Sequence, residues 1–148
     1  MEAGDTVGCW RVLFPSATTN VAKADDAPLV LLGNFHGTRI LLLSDLSRSG
    51  QSKLLALTND LRADVVVAGL PAEGEPLCDA LIDAIRPKVI VIADSEFPAT
   101  RRASRSLKER LERTKIPVIY TRTSGAVKIE TDKTGWKLHA MDGRTFQK

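Results

Sequence analysis

Histidine is nearly absent from this 148-residue chain: His36 and His139 are the only two. A zinc or other transition-metal centre built on imidazole wants several of them close together. Here each stands alone, His36 in a turn-like stretch and His139 in a terminal strand-like one, and a plain surface residue competes with a ligand at both. Cysteine is equally scarce. Cys9 and Cys78 lie far apart without metal-ligand spacing, so buried free thiols are expected rather than a cluster. No Gly-x-Ser-x-Gly frames a nucleophile, and no glycine-rich loop is present to cradle a phosphate. Long apolar runs are missing too. The longest, residues 65–72, contains Gly69 and Pro71 and falls far short of the ~18 residues that a membrane-spanning helix needs. The opening Met1-Glu2-Ala3-Gly4-Asp5 has neither a basic region nor an apolar core and does not read as a signal peptide.

What is present is ordinary for a soluble globular domain: 43% hydrophobic and 26% charged residues. The length suits one domain, residues 1–148, with a real core. A net charge of +3 permits an anionic partner without demanding one.

From Ile40 onward the chain alternates between two patterns. Ile40-Leu41-Leu42-Leu43-Ser44 is short, continuous and apolar, which predicts a buried strand. Ser47 or Ser49 can cap a following helix that carries Leu54, Leu57 and Leu61 on one face. Residues 64–68 read as a second buried strand. Pro76 suits the first turn of the next helix, and Leu77, Leu81 and Ile85 at i, i+4, i+8 give it one apolar stripe. Val89-Ile90-Val91-Ile92 is a third strand, a helix over about residues 100–114 points Ala103, Leu107 and Leu111 inward, and residues 116–120 are a fourth strand. Residues 10–14 and 29–35 read as further strands, with a hairpin turn over residues 34–38. A second hairpin joins residues 126–130 to 136–140 around Thr131-Asp132-Lys133-Thr134-Gly135. Residues 16–28, polar and small, read as a surface loop. Repeated β-α units with continuous apolar strands imply an α/β fold, a mixed β-sheet with flanking helices.

Functional groups in such sheets collect at the carboxyl ends of the strands. Asp45, Asp94 and Glu73 fall there and could converge as oxygen ligands for a hard cation such as magnesium. The competing reading is that these acids cap helices, where the dipole favours negative charge. A basic segment follows: Arg101, Arg102, Arg105, Lys108, Arg110, Arg113 and Lys115 against only Glu109 and Glu112. It could meet a DNA phosphate backbone through charge, with Arg101, Arg102 and Arg105 as candidate contacts. The alternative is a solvated helix face with local ion pairs. No aromatic residue interleaves to stack bases.

One order of segments carries a resemblance: Asp26-Ala27-Pro28-Leu29-Val30-Leu31, then Gly37 to Leu46 ending in Ser44-Asp45-Leu46, then Leu61-Arg62-Ala63-Asp64-Val65-Val66-Val67, then Ile85-Arg86-Pro87-Lys88-Val89-Ile90-Val91-Ile92. Over about residues 4–129 it resembles the C-terminal half of the metallo-β-lactamase-like domain of the ComEC competence-protein family, membrane DNA-uptake channels. The resemblance implies half of an αββα sandwich, with one sheet face open to a second copy, another domain or the rest of a membrane parent protein. It places the parent in the bacterial cytoplasmic membrane and this part in a soluble domain. It also implies that Asp45 is the residual position of a bridging metal carboxylate, in the place of the family's Gly-Asp. The family's His-His-Gly-Ser positions fall on Leu70-Pro71-Ala72-Glu73, and its last histidine motif falls near Arg101 to Arg105. Leucine and proline cannot ligate zinc, so metal-activated hydrolysis is expected to be lost.

Three functions follow as expectations. The first is a catalytically silent ComEC-like domain with a structural or DNA-contacting role and no cofactor. The second is a hydrolase holding zinc or another divalent metal and completed by another chain or domain. The third is an interaction module with no nucleic-acid role.

Overall fold

The computed structural model describes residues 1–17 and 24–148. Its strands are β1 (Thr6–Val7), β2 (Trp10–Phe14), β3 (Val30–Phe35), β4 (Thr38–Leu42), β5 (Val65–Ala68), β6 (Val89–Ile92), β7 (Val118–Tyr120), β8 (Val127–Asp132), β9 (Gly135–Ala140) and β10 (Thr145–Gln147). The helices are α1 (Arg48–Leu57), α2 (Asp79–Ile85), α3 (Arg105–Arg113) and α4 (Thr121–Ser124), with short 3-10 turns at Ala24–Asp26 and Ala99–Arg101. Strands β1 to β7 form one sheet in chain order, and β8 to β10 form a second, antiparallel one. In the large sheet β1 to β4 run antiparallel, while β4 to β7 run parallel with Ile40 opposite Val65 and Val65 opposite Val89. This is the mixed α/β sheet that the alternating segments imply.

The continuous apolar strands are explained by burial on both faces. Leu41, Val66, Ile90 and Ile92 turn to the helices and meet Leu54, Leu81, Ile85, Leu107 and Leu111. Their strand neighbours Ile40, Val65, Val89 and Val91, with Ile119, turn the other way and meet Trp136, Leu138 and Ala140 of β9. The second face, expected to lie open in half a sandwich, is thus covered here by the three-stranded sheet. Trp10, Phe35, Leu42 and Val67 are the partly buried apolar residues on that side.

Helix boundaries depart from the sequence pattern for identifiable reasons. Ser47 caps α1, its Oγ accepting the Gly50 N–H at 3.1 Å. The helix stops at Leu57, however, because the Thr58 N–H closes back on the Leu54 carbonyl from an extended backbone. Leu57 is therefore 48% exposed, and Leu61 reaches the core from the loop instead of the helix. Helix α2 begins at Asp79, so Pro76 lies outside its first turn. The buried Gln51 side chain holds the intervening backbone, accepting the Cys78 N–H at 2.7 Å and donating to the Glu75 carbonyl at 3.0 Å. The expected helix over 100–114 is split. Asp94 takes the Ala103 N–H, Ser104 caps α3, and only Arg105–Arg113 is α-helical.

Of the loop expected at 16–28, residues 18–23 lie outside the described residues, and Ala24–Asp26 forms a 3-10 turn. Cys78 is buried and free, but Cys9 is exposed in the tight β1–β2 turn, correcting its reading as a buried thiol. Among the described residues no helix is long and apolar enough to cross a membrane.

Candidate functional site

Asp45 follows β4 at the carboxyl edge of the parallel strands, and the local backbone fixes its direction. Ser44 adopts a left-handed φ of 51°, its Oγ donates to the Leu29 carbonyl at 2.8 Å, and its own carbonyl accepts the Gly69 N–H at 2.8 Å. Those bonds lay the Asp45 side chain across Gly69. A β-carbon on Gly69 would fall on Asp45 Oδ1 and stand 3.1 Å from Asp45 Cγ, so glycine is needed there for close approach.

The other carboxylate oxygen meets an arginine. Arg101 Nη1 donates to Asp45 Oδ2 at 2.5 Å and to the Leu70 carbonyl at 2.8 Å. The 3-10 turn at Ala99–Arg101 delivers that guanidinium, held by the Ser95 N–H donating to the Arg101 carbonyl. The hydrogen bond and charge of Asp45 raise the Arg101 pKa further above its already high value, so this cation is permanent. Both side chains are partly open to solvent, which screens the pair and limits its energetic weight.

The three acids expected to share a cation do not converge. Asp94 is buried with its oxygens committed to the backbone: Oδ1 accepts the Arg122 N–H at 2.9 Å in α4, and Oδ2 accepts the Ala103 N–H at 3.3 Å just before α3. It joins two elements but does not cap the helix that follows it, since Ser104 caps α3. Glu73 stands beside Ala72, Asp25, Asp26 and Ser47 in a separate cleft of about 260 Å³. Among the described residues no three His, Cys, Asp or Glu side chains gather in a way that could hold a metal ion. The donor chemistry around Asp45 does not fit one either: among the described residues its carboxylate lies against Gly69 and the Arg101 guanidinium. The two histidines lie elsewhere. His36 sits at left-handed φ in the β3–β4 turn, and His139 on β9 approaches Glu130 at 3.3 Å.

Four of the seven cations in the basic segment form separate ion pairs, while the Lys108 ammonium lies 5.0 Å from the Tyr120 ring centre. Arg101 holds Asp45. Arg102 pairs with Glu96 at 2.6 Å, and Arg105 pairs with Glu109 one helical turn along at 2.6 Å. Arg110, largely buried, reaches Glu75 at 3.1 Å and Asp79 at 3.0 Å and donates to the Pro76 and Leu77 carbonyls. It clamps the loop before α2 to α3. Hydrogen bonds from Ser106 and then Arg110 hold the Glu75 carboxyl below its usual range despite partial burial. Arg110 looks in the sequence like one more surface cation, since a clamp requires knowing where 75–79 lies. One exposed aromatic, with no periodic pattern around it in the sequence, joins this edge. Phe97 is 80% exposed, and the Arg102 guanidinium lies 5.8 Å from its ring centre.

No protein-family model matches this chain, and no curated protein matches it.

Proposed function

We propose that this chain is a non-hydrolytic, ComEC-like member of the metallo-β-lactamase type, corresponding to the C-terminal half of that sandwich, with a structural or DNA-contacting role. The observation that carries this reading is the pairing of Asp45 with Arg101. In a hydrolase of that type a carboxylate at the end of this strand would bridge metal ions. Here the carboxylate faces a guanidinium, and the loop after β5 offers Leu70 and Pro71 where metal-ligating side chains would be needed. A fixed organic cation neutralises Asp45 but cannot lower the pKa of a water as a metal does. The order of strands in the large sheet and the place of Asp45 at its carboxyl edge support the likeness.

Metal analysis of the purified chain tests this reading. The expected result is no stoichiometric zinc or manganese, before or after incubation with either ion, and the same content in Asp45→Ala. Stoichiometric metal that disappears in Asp45→Ala would sink the proposal in favour of a hydrolase completed by another chain. A DNA-contacting role finds support at the same edge, where the Phe97 ring and the Arg105 side chain, 92% exposed, stand free of the core. An aromatic face beside cations is what single-stranded bases and phosphates use.

A further inference from the structure

We infer that the opposite end of the sheet, at the amino termini of the parallel strands, carries a binding site for a phosphate-type oxyanion built by Arg39, Arg62 and Arg86. Two successive crossings bring these residues together at the starts of three neighbouring strands. Arg39 lies in β4 next to Ile40, which pairs with Val65 of β5. The connection from α1 places Arg62 just before β5, and the connection from α2 places Arg86 just before β6. With Ala63, Asp64 and Ile85 the three arginines line a cleft of about 200 Å³.

The charges in this cleft do not balance. Its one acid, Asp64, is already committed, accepting the Arg39 backbone N–H at 3.0 Å and the Lys88 ammonium at 2.7 Å. Arg39 Nη2 meets Asp60, which also serves Arg11, while Arg39 Nε is buried without an acceptor. Among the described residues the Arg86 side chain donates only to the Asp83 carbonyl, at 3.3 Å. Neither Arg62 nor Arg86 has a carboxylate within ion-pair distance among the described residues. The arginines numbered 101, 102, 105, 110 and 122 each have a carboxylate within 3.1 Å; Arg48 and Arg113 have none among the described residues, but neither lines this cleft. The dipole of α2 favours a cation at its C-terminus and accounts for Arg86 alone. It does not account for Arg62 and Arg39 beside it.

Guanidinium forks match the oxygens of phosphate in geometry as well as charge. The cleft is smaller than the ~300 Å³ at which sites for drug-sized ligands begin, so it fits one phosphate group rather than a whole cofactor. That group is either a free inorganic anion or one phosphate of a nucleic-acid strand. The inference does not depend on whether the Asp45 edge is silent.

The test is a titration of the full chain with inorganic phosphate, followed by amide NMR at constant ionic strength, with potassium chloride as control. Saturable shifts near residues 39, 62 and 86 are expected. Affinity should fall at least tenfold in Arg62→Gln/Arg86→Gln and stay unchanged in Lys133→Gln, an exposed cation of the β8–β9 turn far from the cleft in the chain. Both cleft substitutions are at exposed positions, and the thermal midpoint of the double variant checks that the fold is kept. Shifts reproduced by chloride, or an affinity unaltered in the double variant, would overturn the site. A short single-stranded oligonucleotide lacking terminal phosphates identifies the source. Binding that depends on Arg62 and Arg86 assigns the site to a phosphodiester, and phosphate binding alone assigns it to a free anion.

Discussion

Gly69 lies directly beneath the carboxylate of Asp45, so close that a β-carbon on it would stand 1.9 Å from Asp45 Oδ1. The Asp45–Arg101 pair therefore depends on an absent side chain. Gly69→Ala should push Asp45 aside and cost about 1–3 kcal/mol, as overpacking does. The informative measurement is a double-mutant cycle with Asp45→Ala. If the contact is the cause, removing Asp45 recovers part of the loss, with a coupling of about 0.5 kcal/mol or more. Strict additivity of the two denaturation midpoints would mean that Gly69 is needed only because a β-carbon would also stand 3.2 Å from the Ser44 carbonyl oxygen.

Gln51 should be among the least replaceable polar residues. It is fully buried, and its amide serves the Leu46 and Glu75 carbonyls and the Cys78 N–H. Gln51→Leu keeps the volume but orphans those three backbone groups, at roughly 1–3 kcal/mol for each group left buried and unpaired. Urea denaturation should show a loss above 2 kcal/mol on that accounting. A loss below about 0.5 kcal/mol, the range of ordinary surface substitutions, would show that water replaces the side chain.

The difference between what was readable and what was not follows the same division. The strands from Ile40 to Ile92 were legible because burial on both faces demands unbroken apolar runs; of the stripe, Leu81 and Ile85 lie buried on α2, while Leu77 is buried ahead of the helix at a left-handed φ of 54°. The starts of α2 and α3 were not, since they are set by Gln51 and Asp94 bonding to backbone that is distant in sequence. Edge strands β1 and β10 are too short to show a period. Asp45 could be picked out as a strand-end acid, but its partner stands 56 residues away in what read as a basic helix face. Pairing across such a gap leaves no local pattern.

Acid should weaken the molecule in part through Glu75. Ser106 and Arg110 hold its folded pKa below the usual 4.5, so the folded state keeps it ionised more readily than the unfolded state does. Its contribution is complete above about pH 4.5 and is lost as pH falls through the lower folded value. Glu75→Gln should lower stability at neutral pH and flatten the acid limb of a plot of stability against pH. An acid limb as steep as that of the native chain would assign the effect to other carboxylates, Asp60 among them, which Arg39 and Arg11 also hold low.

The DNA-contacting role makes its own quantitative demand on the paired arginines. Each phosphate neutralised on a single strand contributes about 0.7 to the slope of log affinity against log salt. Arg101, Arg102 and Arg105 already face Asp45, Glu96 and Glu109, and binding would require them to exchange those carboxylates for phosphates. Fluorescence anisotropy with a labelled single strand at low salt should show binding. The slope should fall by no more than about 2 in the triple substitution to serine, the most that three contacts could supply. Phe97→Ala should weaken binding without changing the slope, because stacking releases no counterions. Affinity too weak to measure at low salt would remove the DNA role, leaving a structural domain whose carboxyl edge is closed by its own ion pairs.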